Sequence, residues 1–284
     1  MYDQPPSDRL NELGTKYVKQ VRINAQLATY YMDMNTSTPP FNDVRVRRAL
    51  NYAADRGAIV KIWGGSVLAK PTCQVLPPNF PGYKPYCPYS KGGGGTRWVA
   101  PNLAKARQLV AASGTKGMAV KVWSETTTVG KNTGLYFVSL LNQLGYKATL
   151  KTLNTGVYFN VVGNSKNKVQ FDYDDWIADY PAASDFINTL LSCKAFIPNS
   201  SSNYNYPEFC DKKVDKQIAR ALKLALTNPE AANVLWARID RQIMDKAPWL
   251  PLVNPAGIDF LSKRVRNYVH SAQDKILLDQ LQVQ

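Results

Sequence analysis

DYDDWIADYP, residues 172–181, is the stretch on which the reading of this chain turns. Tyr173, Trp176 and Ile177 give it the aromatic and β-branched character of a pleated surface, and Pro181 stops ladder pairing. The same stretch holds four acids, Asp172, Asp174, Asp175 and Asp179, in a chain of net charge +14. Strand ends in α/β proteins are where ligands usually sit. A carboxylate beside an indole at such an end suits a ligand that joins a cation to an apolar part. The plainer reading is a strand that leaves its sheet through a polar turn, and the residues alone leave both open.

Around that strand the apolar period alternates. Residues 118–124, MAVKVWS, read as a strand, and Leu135, Val138 and Leu141 form a helix stripe closed by Gly145. Residues 146–153 alternate as a strand, and Thr155 is placed to cap a helix burying Tyr158, Phe159 and Val162. After the opening stretch, Ser184 is placed to cap a helix with Phe186, Ile187, Leu190 and Leu191. Strand and helix in strict alternation argue an α/β layer, a sheet covered by helices.

The flanks extend this pattern. Residues 1–28 are polar without a clear period, and 27–35 read as a strand. After a proline-marked loop, Asp43 caps a helix bearing Val44, Ala49, Leu50 and Ala53. Gly57 interrupts it ahead of a second short helix with Ile59, Ile62 and Trp63. Residues 70–97 read as loop, long enough to be a covering or functional segment. Pro101 opens a helix that Gly114 ends. Asp211 caps a helix with Val214 and Ile218, and Asn228-Pro229 starts a longer one with Leu235, Trp236, Ile239 and Ile243. Pro248 and Pro251 end it, and 249–254 and 258–262 read as two short extended pieces.

With 284 residues, 45% of them hydrophobic and 11% aromatic, the chain can bury one large core or two ordinary ones. No apolar run approaches the roughly 20 residues of a membrane span. The first residues, MYDQPPSDRL, lack the apolar core of a secretory signal. That fits either a cytosolic chain or an export signal removed from, or lying outside, this sequence. Lys and Arg total 35 against 21 acids. The cations are scattered, at Arg45, Arg47 and Arg48, at Lys212, Lys213 and Lys216, and at Lys263, Arg264 and Arg266. No basic arm, glycine–aromatic RNA motif or zinc finger accompanies them, so a dispersed surface charge is expected and no nucleic-acid partner.

The four cysteines fall into two close pairs, Cys73 with Cys87 and Cys193 with Cys210, across loops rich in proline, asparagine or serine. No histidine lies nearby to complete a zinc site. Local disulfides fit, each stabilising by ~3 kcal/mol in the loop-entropy model, and they imply an oxidising compartment. The alternative is four free thiols in the cytosol. The single histidine, His270, sits near the C-terminus, and no catalytic triad assembles around it. The run Gly92–Gly95 lacks the Lys-Ser/Thr of a phosphate loop. No acid–histidine set has metal-ligand spacing, and no cofactor is expected. The carboxylates near Trp176 resemble a glycosidase acid–base pair in type only.

Several stretches together resemble the extracellular solute-binding proteins of family 5, the peptide-type receptors of ABC importers. FNDVRVRRALNYAADRGAIV (41–60) is similar to that family's signature helix, and APNLAKARQLVAASG (100–114) to its next helix. LLNQLGYKATL (140–150), WIADYP (176–181) and the 193–210 loop with NYPEF also match in order and spacing. The resemblance covers residue 27 to the end. It implies a class II periplasmic-binding-protein-like α/β fold, here the second lobe plus fragments of the first. Residues 1–34 would be a remnant of lobe I and the first crossing strand, 35–252 lobe II, and 253–284 the second crossing strand and the return to lobe I. Most of the first lobe would precede this sequence, as would any export signal or lipid anchor, so that the apolar faces of 27–34 and 258–261 would lack their sheet. The function implied is capture of a short peptide between two lobes and delivery to the transmembrane permease subunits, outside the cell or in the periplasm, without catalysis. Asp179 would pair with the ligand's α-ammonium, with Trp176, Ile177 and Tyr180 lining the same cleft. Oligosaccharide or metal-chelate ligands are the alternatives within the family, and a carboxylate-pair glycoside hydrolase is the alternative outside it.

Overall fold

The computed structural model describes residues 9–273 and 275–284. The chain opens with helix α1 (Leu10–Lys16) and strands β1 (Val21–Ala25) and β2 (Ala28–Met34). Helices α2 (Val44–Ala53) and α3 (Arg56–Ile62) lead to the short β3 (Ala69–Pro71). After the long loop come α4 (Leu103–Ser113), β4 (Ala119–Glu125), α5 (Thr128–Gln143), β5 (Lys147–Leu153), α6 (Thr155–Val162), β6 (Phe171–Ile177) and α7 (Ala183–Leu191). Helices α8 (Lys212–Ala225) and α9 (Pro229–Lys246) precede the long β7 (Trp249–Phe260). Four two-residue strands follow, β8 (Val265–Arg266), β9 (His270–Ser271), β10 (Lys275–Ile276) and β11 (Gln282–Val283).

One mixed sheet runs β1-β7-β2-β6-β4-β5, with β3 also on β7. Strands β4, β5 and β6 are parallel, as crossover helices require. β2 pairs antiparallel with β6 on one side and with β7 on the other. The strand expected at 27–34 to lack its sheet is therefore the strand with a neighbour along both edges. At the other end, β1 pairs with β7, placing Val21 opposite Phe260 and Ile23 opposite Ile258. The expected orphan at 258–261 is thus paired too, by a segment whose polar sequence gives no strand period.

β7 is one strand of twelve residues, not two pieces. Proline removes only its own N–H from a ladder. The register shifts between Tyr30 and Tyr31 opposite Pro251, and Pro255 still accepts from the Gln26 N–H at 3.0 Å.

Period-two alternation divides the core between the two faces of the sheet. Met32 and Met34 of β2 and Phe171 and Tyr173 of β6 join Leu50, Phe137, Leu141 and Leu250 on the face covered by α2–α5. Tyr31 and Trp249, stacked with centroids 3.5 Å apart, join Phe186, Trp236 and Ile239 on the face covered by α7–α9. The loop 70–97 packs over this second core with Val75, Leu76 and Phe80 buried, and Asp240 of α9 accepts from the Val75 N–H at 3.0 Å. Both disulfides, Cys73–Cys87 and Cys193–Cys210, are closed.

Caps follow the short polar side chains, with local shifts from the sequence expectation. Asp43, Asp211 and Asn228 cap as expected. Asp55 caps α3, so Gly57 lies inside that helix rather than before it. Asn154, not Thr155, caps α6, and Ser184 lies within α7 behind an uncapped Ala182. Leu135 is exposed, because α5 buries the stripe of Thr133, Phe137, Leu140 and Leu141 instead.

Three arginines of the 41–60 stretch, Arg47, Arg48 and Arg56, brace the fold. Arg47 donates from Nη1 to the Phe41 carbonyl at 2.6 Å and from Nη2 to the Lys246 carbonyl at 2.8 Å. Arg48 donates to the Asp245 carbonyl at 2.8 Å. Both close the C-terminal end of α9, where the helix dipole favours cations. Arg56 is fully buried and donates from Nε to the carbonyls of Thr72 at 2.7 Å and Pro251 at 2.8 Å, and from Nη1 to Asn51 at 3.2 Å. Burial lowers its pKa only to about 10, so it stays charged at neutral pH. Arg56→Ala orphans carbonyls on three segments and is expected to cost about 3 kcal/mol or more in urea unfolding; an unchanged midpoint would refute the role given to this residue.

Candidate functional site

Strand β6 ends by turning toward α7, and this turn carries all four residues singled out in the sequence. Ala178 N–H donates to the Leu27 carbonyl at 2.8 Å, which seals the strand end against β2. Asp185, in the first turn of α7, is buried. Its Oδ2 accepts both the Trp176 indole N–H at 3.1 Å and the Asp179 backbone N–H at 3.0 Å. One oxygen therefore fixes the indole and the turn together. Burial pushes the Asp185 carboxyl up, and the indole hydrogen bond works against that shift.

The Asp179 side chain is exposed, and among the described residues none hydrogen-bonds its carboxylate. Asp185 is the carboxylate hydrogen-bonded to the indole. Tyr180 is exposed with its hydroxyl 3.4 Å from Ser184 Oγ, and Ile177 is exposed on the face opposite Trp176. Asp185 escaped sequence reasoning. Its only signal is an acid in the first turn of a helix, where the dipole favours negative charge.

Beside Trp176 lies a cavity of about 280 Å³ between β6, α6, α7 and the 193–210 loop. Phe159, Asp174, Trp176, Leu190, Tyr204 and Tyr206 line it, with Asp175 at its edge. The loop wall is held rigidly. Buried Asn205 donates to the carbonyls of Ser192 at 3.0 Å and Phe209 at 2.8 Å, and Asn203 donates to the Gly163 carbonyl at 2.9 Å. A Cβ on Gly163 would stand 2.8 Å from the Tyr206 ring, so α6 can approach the loop only with glycine there. Tyr204 meets Trp176 edge-on, centroids 5.7 Å apart.

Under the cavity the sheet register stacks acids. Asp33 lies opposite Asp172, and Tyr31 opposite Asp174, all buried. Tyr31 donates its hydroxyl to Asp174 Oδ2 at 3.2 Å, and the Asp175 N–H donates to Oδ1 at 2.7 Å. Neither oxygen of Asp33, nor Oδ2 of Asp172, has a hydrogen-bond partner among the described residues. Burial raises all of these carboxyls, and like charge adds to it: Asp174 reaches about 8, and Asp33 and Asp172 stand well above the usual range. Asp175 reaches about 7 by burial and by Glu125. Among the described residues these acids form no group placed to hold a metal ion.

The raised carboxyls make stability depend on pH with a definite sign. The folded chain holds protons that the unfolded chain gives up near pH ~4. Their stabilising effect is complete below that pH and is lost as pH rises toward 7 to 8, the range in which Asp175 and Asp174 titrate. Unfolding midpoints should fall between pH 5 and 8. Each carboxyl contributes up to about 1.4 kcal/mol per pH unit. Asp33→Asn, which keeps the shape and removes the titration, should flatten the slope; a wild-type midpoint constant across this range would refute the assignment.

The model of the bacterial extracellular solute-binding proteins, family 5 (middle region), matches residues 1–197. Glutathione-binding protein GsiB of Salmonella typhimurium (strain LT2) is 28% identical over 243 residues, covering 84% of this chain and 44% of the relative. The chain thus spans under half the length of the curated relatives it matches. Among solved structures, clavulanic acid biosynthesis oligopeptide binding protein 2 superposes with TM-score 0.88 at 24% identity, over 98% of this chain and 51% of that one. The Escherichia coli murein tripeptide binding protein MppA does so with TM-score 0.81 at 20% identity, over 99% and 53%. These neighbours share the class II periplasmic-binding-protein fold. Family model and fold agree: the chain belongs to the bacterial extracellular solute-binding proteins of family 5.

Proposed function

We propose that this chain is the ligand-holding part of an ABC importer's receptor and takes a short peptide, with Asp179 receiving the peptide's α-ammonium. The observation that carries this is the turn after β6. Asp185 spends its oxygen on the Trp176 indole and the Asp179 N–H. The Asp179 carboxylate is left pointing outward from a fixed backbone at a strand end. A second lobe closing over that surface would place the carboxylate in a drier setting, where an ammonium supplies charge and hydrogen bonds at once. Peptide main chain can pair as an added strand and so tolerates many side chains.

In this reading residues 35–252 form the second lobe. Residues 1–34 and 253–284 carry the crossing strands, and the β1–β7 ribbon is the start of the crossing. The partners are the permease subunits, and the place is the periplasm or cell exterior. Two closed disulfides support an oxidising compartment. Curated relatives carry glutathione in their names, itself a tripeptide, which favours peptide-like ligands over oligosaccharides or metal chelates. Asp174 and Asp175 are neighbours on one strand and so face opposite sides of the sheet. They do not form the facing pair that a glycosidase needs.

Titration calorimetry with Ala-Ala-Ala, N-acetyl-Ala-Ala-Ala and glutathione tests the assignment. Asp179→Ala should weaken the free tripeptide by on the order of 30-fold, as expected on removing one partner of a desolvated charge pair, and should leave the acetylated peptide unchanged. Equal affinity for free and acetylated peptide in the wild type would overturn the role of Asp179.

A further inference from the structure

The geometry points to the cavity beside Trp176 as a second subsite, one that accepts an alkylammonium or guanidinium group on the ligand. For the ligand being a peptide, the inference rests on the function proposed above; for the subsite itself it does not.

The cavity has the three parts that such a group requires. The first is size. At about 280 Å³ it falls just under the roughly 300 Å³ at which drug-sized pockets begin, so it fits one side chain rather than a whole ligand. The second is its wall. Phe159, Trp176, Tyr204 and Tyr206 come from three different segments, α6, β6 and the disulfide-closed loop, and present π faces or edges to one space. Aromatic boxes of this kind hold cations through the ring quadrupole, most strongly where water is excluded.

The third part is the floor. Asp174 is 6% exposed and lines the cavity. Its two oxygens each accept one hydrogen bond, from Tyr31 and from the Asp175 N–H. A carboxylate has about four acceptor positions, so capacity remains toward the cavity. Behind it lie Asp33 and Asp172, which no described cation neutralises. At neutral pH burial holds these carboxyls protonated; an ammonium in the cavity stabilises the ionised form of Asp174, which a neutral side chain does not. Leu190 on α7 supplies the apolar contact for an alkyl stem.

Titration follows from the same geometry. Asp174 holds a proton up to a pH of about 8. The groups that act on it are Tyr31 and Asp33 from β2, Asp172 and the adjoining Asp175 from β6, Tyr158 from α6 and Tyr206 from the loop. A bound ammonium takes the place of that proton, so affinity should rise between pH 6 and 9.

The probes are n-butylammonium against n-butanol for the cavity alone, and Ala-Lys-Ala against Ala-norleucine-Ala for the peptide, all by calorimetry or ligand-observed NMR on this chain. We expect n-butylammonium to bind at least about tenfold tighter than n-butanol, with affinity rising with pH. Asp174→Asn should abolish both the preference and the pH dependence. Tyr204→Ala, at the exposed rim, removes one ring without touching the sheet and should weaken n-butylammonium severalfold. It keeps the test open if Asp174→Asn fails to fold. Equal binding of butylammonium and butanol, or a preference unchanged by either variant, overturns the subsite. If n-butylammonium binds as expected but neither tripeptide does, the peptide reading fails and the subsite stands. If both tripeptides bind alike while Asp179→Ala weakens both, the peptide reading stands and the subsite fails.

Discussion

Strand β2 has a hydrogen-bonded neighbour along both edges, β6 on one side and β7 on the other. Both its faces are covered by helices, so Tyr30, Met32 and Met34 enter one core and Tyr31 the other. A strand so placed has no freedom of register: a slip of one residue would exchange Met32 and Met34 for Tyr31 and Asp33 on the wrong face. The register that buries the methionines is the same one that sets Asp33 against Asp172 and Tyr31 against Asp174. The acid stack is thus a consequence of strand pairing, held in place by apolar packing on the opposite face of the same sheet.

Most of the fold was legible where the apolar period was strong. The alternation of β4, α5, β5, α6, β6 and α7 can be read from residues 118–192, because each element there buries one stripe or one face. The misreadings arose where backbone pairing or a single side chain outweighs pattern. β1 is a strand because β7 offers it a partner, although Val21, Arg22, Ile23 and Asn24 bury little. β7 reads from the sequence as two short pieces, 249–254 and 258–262, although a proline with its missing N–H at a register shift leaves the ladder intact around it. The caps at Asn154 and Asp55 lost out to neighbouring hydroxyl and glycine signals, a difference of one or two residues that propensity does not resolve.

The site was half legible. The stretch 172–181 drew attention through its acids and indole, and Asp174, Asp175 and Trp176 of it line the cavity. What period-two reasoning could have assigned, and did not, is which acids share a face. Asp172, Asp174 and Trp176 fall on one side, and Asp175 and Ile177 on the other. What no local pattern could supply is Asp185, which reaches back over six residues to the Asp179 N–H and over nine to the indole. Long-range closure of a turn by a buried carboxylate leaves almost no mark on composition. The loop tyrosines, Tyr204 and Tyr206, belong to the cavity for the same reason: a disulfide and two buried asparagines, rather than any strand or helix, bring them there.

Net charge points the other way from the site, and distance decides between them. The chain carries +14, yet many of its cations are committed. Arg47 and Arg48 close the end of α9, Arg56 binds carbonyls in the core, Arg45 pairs with Asp43 at 2.6 Å, and Lys246 pairs with Asp211 at 3.1 Å. The remaining lysines stand on the surface in water, where salt screens them beyond about 8–10 Å. A cation arriving at the β6 end meets instead, at contact distance, the carboxyl of Asp174, which ionises as the cation takes the place of its proton. There two unit charges ~4 Å apart interact by about 4 kcal/mol at an effective dielectric of 20, against about 1 kcal/mol in bulk water. The repulsion it feels on approach is therefore weak and salt-dependent, and the attraction at contact is strong and shielded by the surrounding rings. A basic protein can hold a cation in this way, provided that acids such as Asp33, Asp172 and Asp174 are gathered on one sheet face and arginines such as Arg47, Arg48 and Arg56 are held by the helix end and carbonyls they already serve.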